Sequence, residues 1–304
     1  MISVAMTTYN GQSFLEKQLN SILSQTIKVD EIIVCDDGST DATHKILSKY
    51  ESTGVLKFQV NDSNLGFVRN FEKALSLCTG EYIFLADQDD IWYPNKVEVL
   101  IKSLNGNLLI HSDCDLIDSS DNVLVKNFKG NLSSHHTAED FLFANVVTGC
   151  TVLIHRDLLK LALPFPNGLA YHDWYLAMHA AYRNRISYES HSLTGYRQHQ
   201  LQDTGSGDSV RSSILKNCKD RIKGVEFLQI KSTKKQLINL KSCLLVFSED
   251  VKFHESQKKA IKALEGYISD FVHFSYGFWY SKTFVKKEQS IFKRLLVALK
   301  YSIG

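Results

Sequence analysis

Three carboxylates fall within four residues at Asp87-Gln88-Asp89-Asp90, between the apolar run Tyr82-Ile83-Phe84-Leu85-Ala86 and Ile91-Trp92-Tyr93-Pro94. Carboxylates this crowded raise one another's pKa unless a cation sits between them. At a strand end alternate residues need not point apart, so two carboxylates can share one ion. Hard oxygen ligands suit Mg²⁺ or Mn²⁺, which also bind substrate phosphates. The competing reading is a solvated Asp-rich turn capping the next helix, since one Asp-x-Asp is a weak signal. The flanking apolar residues favour the metal. A second cluster, Asp36-Asp37-Gly38-Ser39, follows Ile32-Ile33-Val34-Cys35. A carboxylate ending a second parallel strand can accept from a nucleobase N–H or a ribose hydroxyl; an ordinary turn with an N-cap is the alternative. Neither a Gly-x-Gly-x-x-Gly fingerprint nor a P-loop is present, so dinucleotide and P-loop chemistry are unsupported. A nucleotide's diphosphate must then be held another way, which a metal at Asp89 supplies.

The elements that must position these groups alternate. Ile2 to Thr8 reads as a buried strand ending at the turn signal Tyr9-Asn10-Gly11. Ser13 is placed to cap a helix carrying Phe14, Leu15, Leu19, Ile22 and Leu23. Glu31–Cys35, Val55–Val60 and Tyr82–Ala86 are further strands. Helices are expected after Asp41, from Gly66 to Leu77, and from Pro94 through Leu104, with Pro94 in the first turn. This alternation means βαβ units in an α/β domain with a mostly parallel sheet. Ligands bind such sheets at the carboxyl ends of the strands, where Thr7-Thr8-Tyr9-Asn10 and both Asp clusters lie. From Leu108 the pattern is mixed, with strands at Leu108–Ile110, Val123–Val125, Val152–His155 and Ile186–Tyr188 and a helix from His172 to Tyr182. Beyond Arg211 it turns helical and Lys-rich. A soft boundary at Asp203-Thr204-Gly205-Ser206-Gly207-Asp208 divides a domain of residues 1–205 from a basic helical region, 206–304.

With 44% hydrophobic and 22% charged residues, the 304-residue chain is of globular composition, neither disordered nor fibrous. Net charge is +2, but Arg211 to Gly304 holds 19 Lys and Arg against 8 Asp and Glu. The acidic first two-thirds is a poor nucleic-acid binder, and the basic last third suits anions. Six cysteines include no C-x-x-C pair, so they read as reduced core residues. No signal-like leader and no run of 18 apolar residues is found, so a cytoplasmic protein without a transmembrane helix is expected.

Thr7-Thr8-Tyr9-Asn10-Gly11, Gln25-Thr26, Glu31 through Asp41, and Gly80 through Asp90 resemble, in that order, the family 2 glycosyltransferases of GT-A fold. Asp87 to Pro94 is similar to the bacterial rhamnosyltransferase-like branch that builds O-antigen and capsule chains. The resemblance covers roughly residues 1–205. It implies that Thr7, Tyr9 and Asp37 hold the nucleoside, with Asp37 on the base, and that Asn64 and Arg69 line the donor site. Asp87-Gln88-Asp89 matches the Asp-x-Asp metal motif, with Asp89 the direct ligand and Asp87 beside nucleotide and ion. Thr148-Gly149-Cys150 matches a small-residue loop at which substrate meets backbone, with Trp174 beside it. Tyr171-His172-Asp173-Trp174 matches an acidic motif at a helix start. In it Asp173 would be the general base, and His172 stands where a Glu is usual. Taken alone, Asp173 fits equally a carboxylate favoured by the helix dipole. Tyr196-Arg197-Gln198-His199 matches a histidine motif in which His199 would ligate the metal or touch the diphosphate; by itself one His is not a metal site.

The resemblance thus implies an inverting transferase using Mn²⁺ or Mg²⁺. A nucleotide-sugar donor would be UDP-hexose, UDP-N-acetylhexosamine or dTDP-rhamnose, and the acceptor a lipid-linked saccharide. A sugar-1-phosphate nucleotidylyltransferase would need a Gly-rich, Arg-bearing loop after the first strand, which Thr8-Tyr9-Asn10-Gly11-Gln12 does not supply. A glycoside hydrolase would use two carboxylates but no nucleotide site. A non-catalytic scaffold of an assembly complex is the remaining alternative. The aromatic stretch 271–280 and the neighbouring Lys286-Lys287 and Lys293-Arg294 suit a membrane headgroup region, giving peripheral contact with an anionic membrane; a packed helical subdomain is equally compatible. No nucleic-acid reader motif is present.

Overall fold

The computed structural model describes residues 1–52, 54–130, 132, 136–142, 145–199, 234–243, 246–247, 249 and 251–270. Nine strands form one mixed sheet: β1 (Ile2–Thr8), β2 (Glu31–Asp36), β3 (Leu56–Val60), β4 (Tyr82–Ala86), β5 (Ile91–Trp92), β6 (Leu109–Ile117), β7 (Val123–Val125), β8 (Val152–His155) and β9 (Ile186–Arg197). The order is β3-β2-β1-β4-β8-β6-β9-β5, with β7 on β6. β3-β2-β1-β4 are all parallel. β8 is antiparallel to both β4 and β6, β9 is parallel to β6, and β5 is antiparallel to β9. The helices are α1 (Leu15–Leu23), α2 (Thr43–Glu51), α3 (Phe67–Leu77), α4 (Lys96–Leu104), α5 (Arg156–Ala162) and α6 (His172–Tyr182). Two more, α7 (234–243) and α8 (Val251–Asp270), follow.

β1 and β2 are buried along their whole length, which is why they read as continuous apolar runs rather than alternating ones. Val4, Met6, Ile32, Val34 and Phe84 meet Leu15, Leu19, Ile22, Val97 and Leu100 in one core. Each fully buried side chain of this size contributes roughly 1.5–3 kcal/mol. Register sets the ends level: Thr8 pairs with Asp36, and Met6 with Ala86. The loops leaving β1, β2 and β4 therefore open at one edge.

Three local expectations are corrected. Ser13 caps nothing: α1 starts at Leu15, and Gly11 O accepts from the N–H groups of Phe14 and Leu15. Pro94 stands ahead of α4, which begins at Lys96; its carbonyl accepts from Thr26 N. β6 and β9 run far past the short strands expected at Leu108–Ile110 and Ile186–Tyr188, because they pair with each other through two register shifts.

The chain divides into two compact units. The first comprises 1–138, 147–165 and 171–198, and the second 139–146, 166–170 and 199–304. In the second, Leu240, Cys243, Phe253, Ala260 and Leu264 are buried, and Lys241 pairs with Glu265 at 2.6 Å. No helix among the described residues is long and apolar enough to cross a membrane. The stretches 203–208 and 271–296 lie outside the described residues. Cys35, Cys78, Cys114, Cys150 and Cys243 are free and buried, as the absence of Cys pairs implied.

Candidate active site

The loop after β1 is held by the middle residue of Asp87-Gln88-Asp89. Gln88 Oε1 accepts from Tyr9 N at 2.8 Å, and Gln88 Nε2 donates to Tyr9 O at 3.0 Å. This clamp needs Gly11, where a Cβ would fall 2.3 Å from Gln88 Oε1. Tyr9 is left exposed while Thr7 is buried behind it. Asp37 is also buried. It accepts from Asn61 Nδ2 (2.8 Å), Leu65 N (2.9 Å) and Gly66 N (2.9 Å), so it shapes the turn that opens α3. A carboxylate has about four acceptor positions, so three protein donors leave room for one more. Asn64 is exposed in that turn, its Oδ1 accepting from Gly66 N at 3.0 Å. Arg69 is tied to Glu72 at 2.5 Å and to Phe165 O at 2.9 Å. It joins α3 to the loop after α5.

Asp87, Asp90 and Cys150 each place one ligand atom within 4.8 Å of the others. Asp90 is wholly buried. Its Oδ1 accepts from Arg197 N at 2.9 Å, and its Oδ2 has no hydrogen-bond partner. Burial raises the Asp87 carboxyl well above the carboxylate range, and the charges of Asp90, Asp89 and Asp173 add to it. Burial and then Asp89 push Asp90 up to about 7. This is a site in excess of negative charge, and a divalent cation fits it. The two carboxylates are hard donors, one oxygen is orphaned, and a cation would reverse the mutual destabilisation. Burial raises the Cys150 thiol far above its ordinary value, so as a neutral thiol it is a poor partner for a hard ion. Of the expected ligands, Asp87 is in this group, whereas Asp90 and not Asp89 completes the carboxylate pair. Asp89 is buried alongside, and His199, half-buried, belongs to the second unit.

Two buried cations back this cluster. Lys96 Nζ donates to Cys150 O at 2.5 Å and to Thr194 Oγ1 at 3.0 Å, and lies 4.0 Å from the centre of the Trp92 ring. Burial pulls its ammonium down to about 8. Arg197, also fully buried, donates from Nε to Asp89 O at 2.5 Å. It also reaches Asp118 O at 2.7 Å and stands 4.5 Å over the Phe14 ring. The short β5–β9 pairing, Ile91 with Gly195 and Trp92 with Thr194, brings Asp90 to Arg197.

Asp173 is the second residue of α6. Its Oδ1 accepts from Trp174 N at 2.7 Å. A Cβ on Gly149 would lie 3.8 Å from Asp173 Oδ2 and 3.4 Å from His172 Nε2, so the 148–150 loop faces the start of α6. Because the Asp173 charge also acts on Asp87, these groups share one site. Trp174 is packed in the interior at 1 % exposure, next to Tyr171 at 6.3 Å between ring centres.

Gln88, Lys96 and Arg197 were given no role from the sequence, and Asp90 and His172 only a place within their motifs. Lys96 had a visible signal: with Leu100 and Leu104 it follows helical i, i+4 spacing on the buried face. Arg197 stood inside the Tyr196–His199 segment already flagged, and Asp90 closed the Asp run.

The model of the family described as Glycosyl transferase family 2 matches residues 3–160. The chain is 30% identical over 227 residues to the dTDP-rhamnosyl transferase RfbG of Shigella flexneri, covering 68% of this chain and 76% of that protein. It is 30% identical over 179 residues to the UDP-Glc:alpha-D-GlcNAc-diphosphoundecaprenol beta-1,3-glucosyltransferase WfgD of Escherichia coli, covering 57% and 68%. Among solved structures, S. aureus TarS 1-349 in complex with UDP-GlcNAc aligns over 100% of this chain and 81% of that one. Its TM-score is 0.57 and its identity 17%, a likeness of GT-A fold.

Proposed function

The chain belongs to glycosyl transferase family 2, and from that premise we propose an inverting transfer of a sugar from a nucleotide-diphosphate donor to a hydroxyl of a lipid-linked saccharide in bacterial surface polysaccharide synthesis. The observation that carries the reading is the convergence of Asp173, Gly149 and the Asp87–Asp90 pair in one site. Asp173 takes the proton from the acceptor hydroxyl. The hydroxyl oxygen forms its bond to the anomeric carbon as the bond to the diphosphate oxygen breaks, and the nucleoside diphosphate leaves with the electron pair. One base and one displacement give inversion. General base catalysis of this kind supplies typically ~10²–10⁴-fold in rate.

Thr7, Tyr9 and Asp37 hold the nucleoside at the ends of β1 and β2, with Asn64 and Arg69 from the turn and first part of α3 on the donor side. Asp87 and Asp90 would hold Mn²⁺ or Mg²⁺, with Asp89 and His199 as the further ligands that the family resemblance implies. That ion would neutralise charge on the departing diphosphate. Arg197 fixes the backbone at Asp89 and Lys96 the backbone at Cys150. RfbG is named for a dTDP-rhamnosyl donor and WfgD for a UDP-glucose donor and a diphosphoundecaprenol-linked acceptor. These names support dTDP-rhamnose, UDP-hexose or UDP-N-acetylhexosamine as donor here, and a polyprenyl-diphosphate saccharide as acceptor. The basic region after Arg211 would bring the enzyme to the inner face of the membrane where that acceptor resides.

The test is Asp173→Asn. Donor affinity should stay within about threefold of wild type while transfer falls by about 10²–10⁴-fold. Wild-type turnover in the variant would end the assignment.

A further inference from the structure

His172 has a role that the reaction above does not use. It is the first residue of α6, and it is 6 % exposed. Its ring stacks on Phe71, with centres 4.1 Å apart and planes at 23°, and meets Phe67 edge-on at 6.0 Å. Apolar contacts therefore occupy the faces of the imidazole and leave its polar edge to carry any specific interaction. Neither Nδ1 nor Nε2 has a hydrogen-bond partner. A buried polar group left in that state is costly, so an unpaired one needs an explanation.

Nε2 is aimed at Gly149. An added Cβ there would stand 3.4 Å from Nε2 and 3.8 Å from Asp173 Oδ2. Gly149 is half-buried, whereas Nε2 itself is covered. A nitrogen and a carboxylate oxygen thus both face the position that a side chain at residue 149 would take. We propose that His172 positions a sugar hydroxyl there, by a hydrogen bond from Nε2, next to the Asp173 carboxylate. The proposal rests on the glycosyl-transfer reading and deepens it.

The chemistry selects a hydroxyl over a phosphate. Burial holds the His172 ring down at about 3, so the imidazole is uncharged in neutral solution and offers one donor and one acceptor, not a cation. A phosphate would be drawn to a cation, and Asp173 beside it would repel an anion. For the same reason His172 does not compete with Asp173 for the proton. The hydroxyl could belong to the donor sugar or to the acceptor, and both give the same contact.

His172→Phe keeps a ring on Phe71 and removes both nitrogens. His172→Gln restores an amide N–H near the Nε2 position. At pH 7.5 we expect the melting temperature of the Phe variant to stay within about 2 °C of wild type. Its kcat/KM should fall by about ten- to a hundredfold, the loss expected when a hydroxyl's partner is removed from a polar site, and Gln should recover a third or more of the activity. A rise in KM for the sugar nucleotide, with affinity for bare UDP or dTDP unchanged, would assign the hydroxyl to the donor. A rise in KM for a polyprenyl-diphosphate-linked N-acetylglucosamine would assign it to the acceptor. Unchanged kcat/KM toward both substrates in the Phe variant would overturn the proposal, as would equal impairment of Phe and Gln with a lowered melting temperature. If wild-type protein transfers no sugar, the transfer reading fails by itself. Calorimetric affinity of the Phe variant for UDP-glucose, UDP-N-acetylglucosamine, dTDP-rhamnose and the polyprenyl-diphosphate-linked N-acetylglucosamine then decides the contact: weaker binding of a sugar nucleotide or of the acceptor supports it, and unchanged binding of all four overturns it.

Discussion

The two halves of the sheet differ in how completely they satisfy buried polar groups. On the parallel half, β3-β2-β1-β4, buried carboxylates are answered by their own loops. Asp36 accepts from Thr8 Oγ1, Gly38 N and Ser39 N, and Glu31 from Ser3 Oγ and Thr79 N. Burial alone would raise both, yet these hydrogen bonds hold them below the ordinary carboxylate value. Among the described residues, no strand of that half leaves a buried side-chain polar atom without a partner. In the mixed half Asp115 is answered in the same way, but other groups there, on its helices and in the loop after β4, are not. Asp90 Oδ2, Trp92 Nε1 and the rings of His111 and His172 are buried and unanswered, and Asp87 and Asp90 are raised rather than lowered. Saturated polar groups build a rigid platform, the one proposed above to hold the nucleoside. Unsaturated ones hold free energy that a cation or a hydroxyl can release, so they mark where chemistry enters.

The sharpest way to break this contrast is to neutralise the unsaturated half. Asp87→Asn should lower transfer by about a hundredfold or more, since one ligand and one charge are lost at the diphosphate. Added Mn²⁺ should no longer stimulate it. Persistence of metal-stimulated turnover in steady-state assays would show that the cluster is a structural turn. Next in size is Gly149→Ala. The new methyl meets only ordinary contacts with His172 and Asp173, so the fold should survive while the position they face is filled. We expect kcat/KM to fall by about ten- to a hundredfold, as a displacement of around 1 Å in a reacting group costs; unchanged kinetics would mean that no substrate atom approaches there.

The smallest effect concerns stability. His172 and His179 are both pulled down from 6.5 to about 3, His172 by burial and His179 by burial and then Arg183. Between about pH 3 and 6.5 the unfolded chain therefore binds more protons than the folded one. Their stabilisation is complete above pH 6.5 and is lost as the pH falls toward 3. At pH 4.5 each ring costs about 2–3 kcal/mol relative to neutral pH. Denaturant titrations should show a flatter pH slope for His172→Phe than for wild type; parallel slopes would mean that the ring is protonated in the folded state.

The same two halves differ in how far they could be read from the sequence. β1 and β4 lie within the expected limits because buried parallel strands are unbroken apolar runs closed by turn residues. In the mixed half β8 and α6 were equally plain, but β9 was not. Its Glu189-Ser190-His191-Ser192 segment breaks the apolar pattern, and only pairing with β6 makes it strand. β5 has two residues and no period at all; it exists because β9 runs beside it. Asp90 belonged to the crowded Asp run, but nothing local ranked it above Asp89 as a ligand. Its burial depends on β9 arriving at Arg197, a contact 107 residues away in the chain, and no local rule separates it from Asp89. Asp173, the proposed base, was legible as a candidate at a helix start, whereas Gly149 facing it required the fold.

The central claim is that nucleotide binding on the saturated half depends on a cation held by the unsaturated half. It is tested most directly by thermal denaturation of the wild-type protein with UDP, dTDP, GDP and their sugars, each with Mn²⁺, Mg²⁺ or EDTA. One nucleotide class should stabilise the protein only with metal present, by about 2.7 kcal/mol at 100 times its dissociation constant, and Asp87→Asn should lose the effect. Stabilisation that is equal in EDTA, or that survives in Asp87→Asn, would contradict the claim.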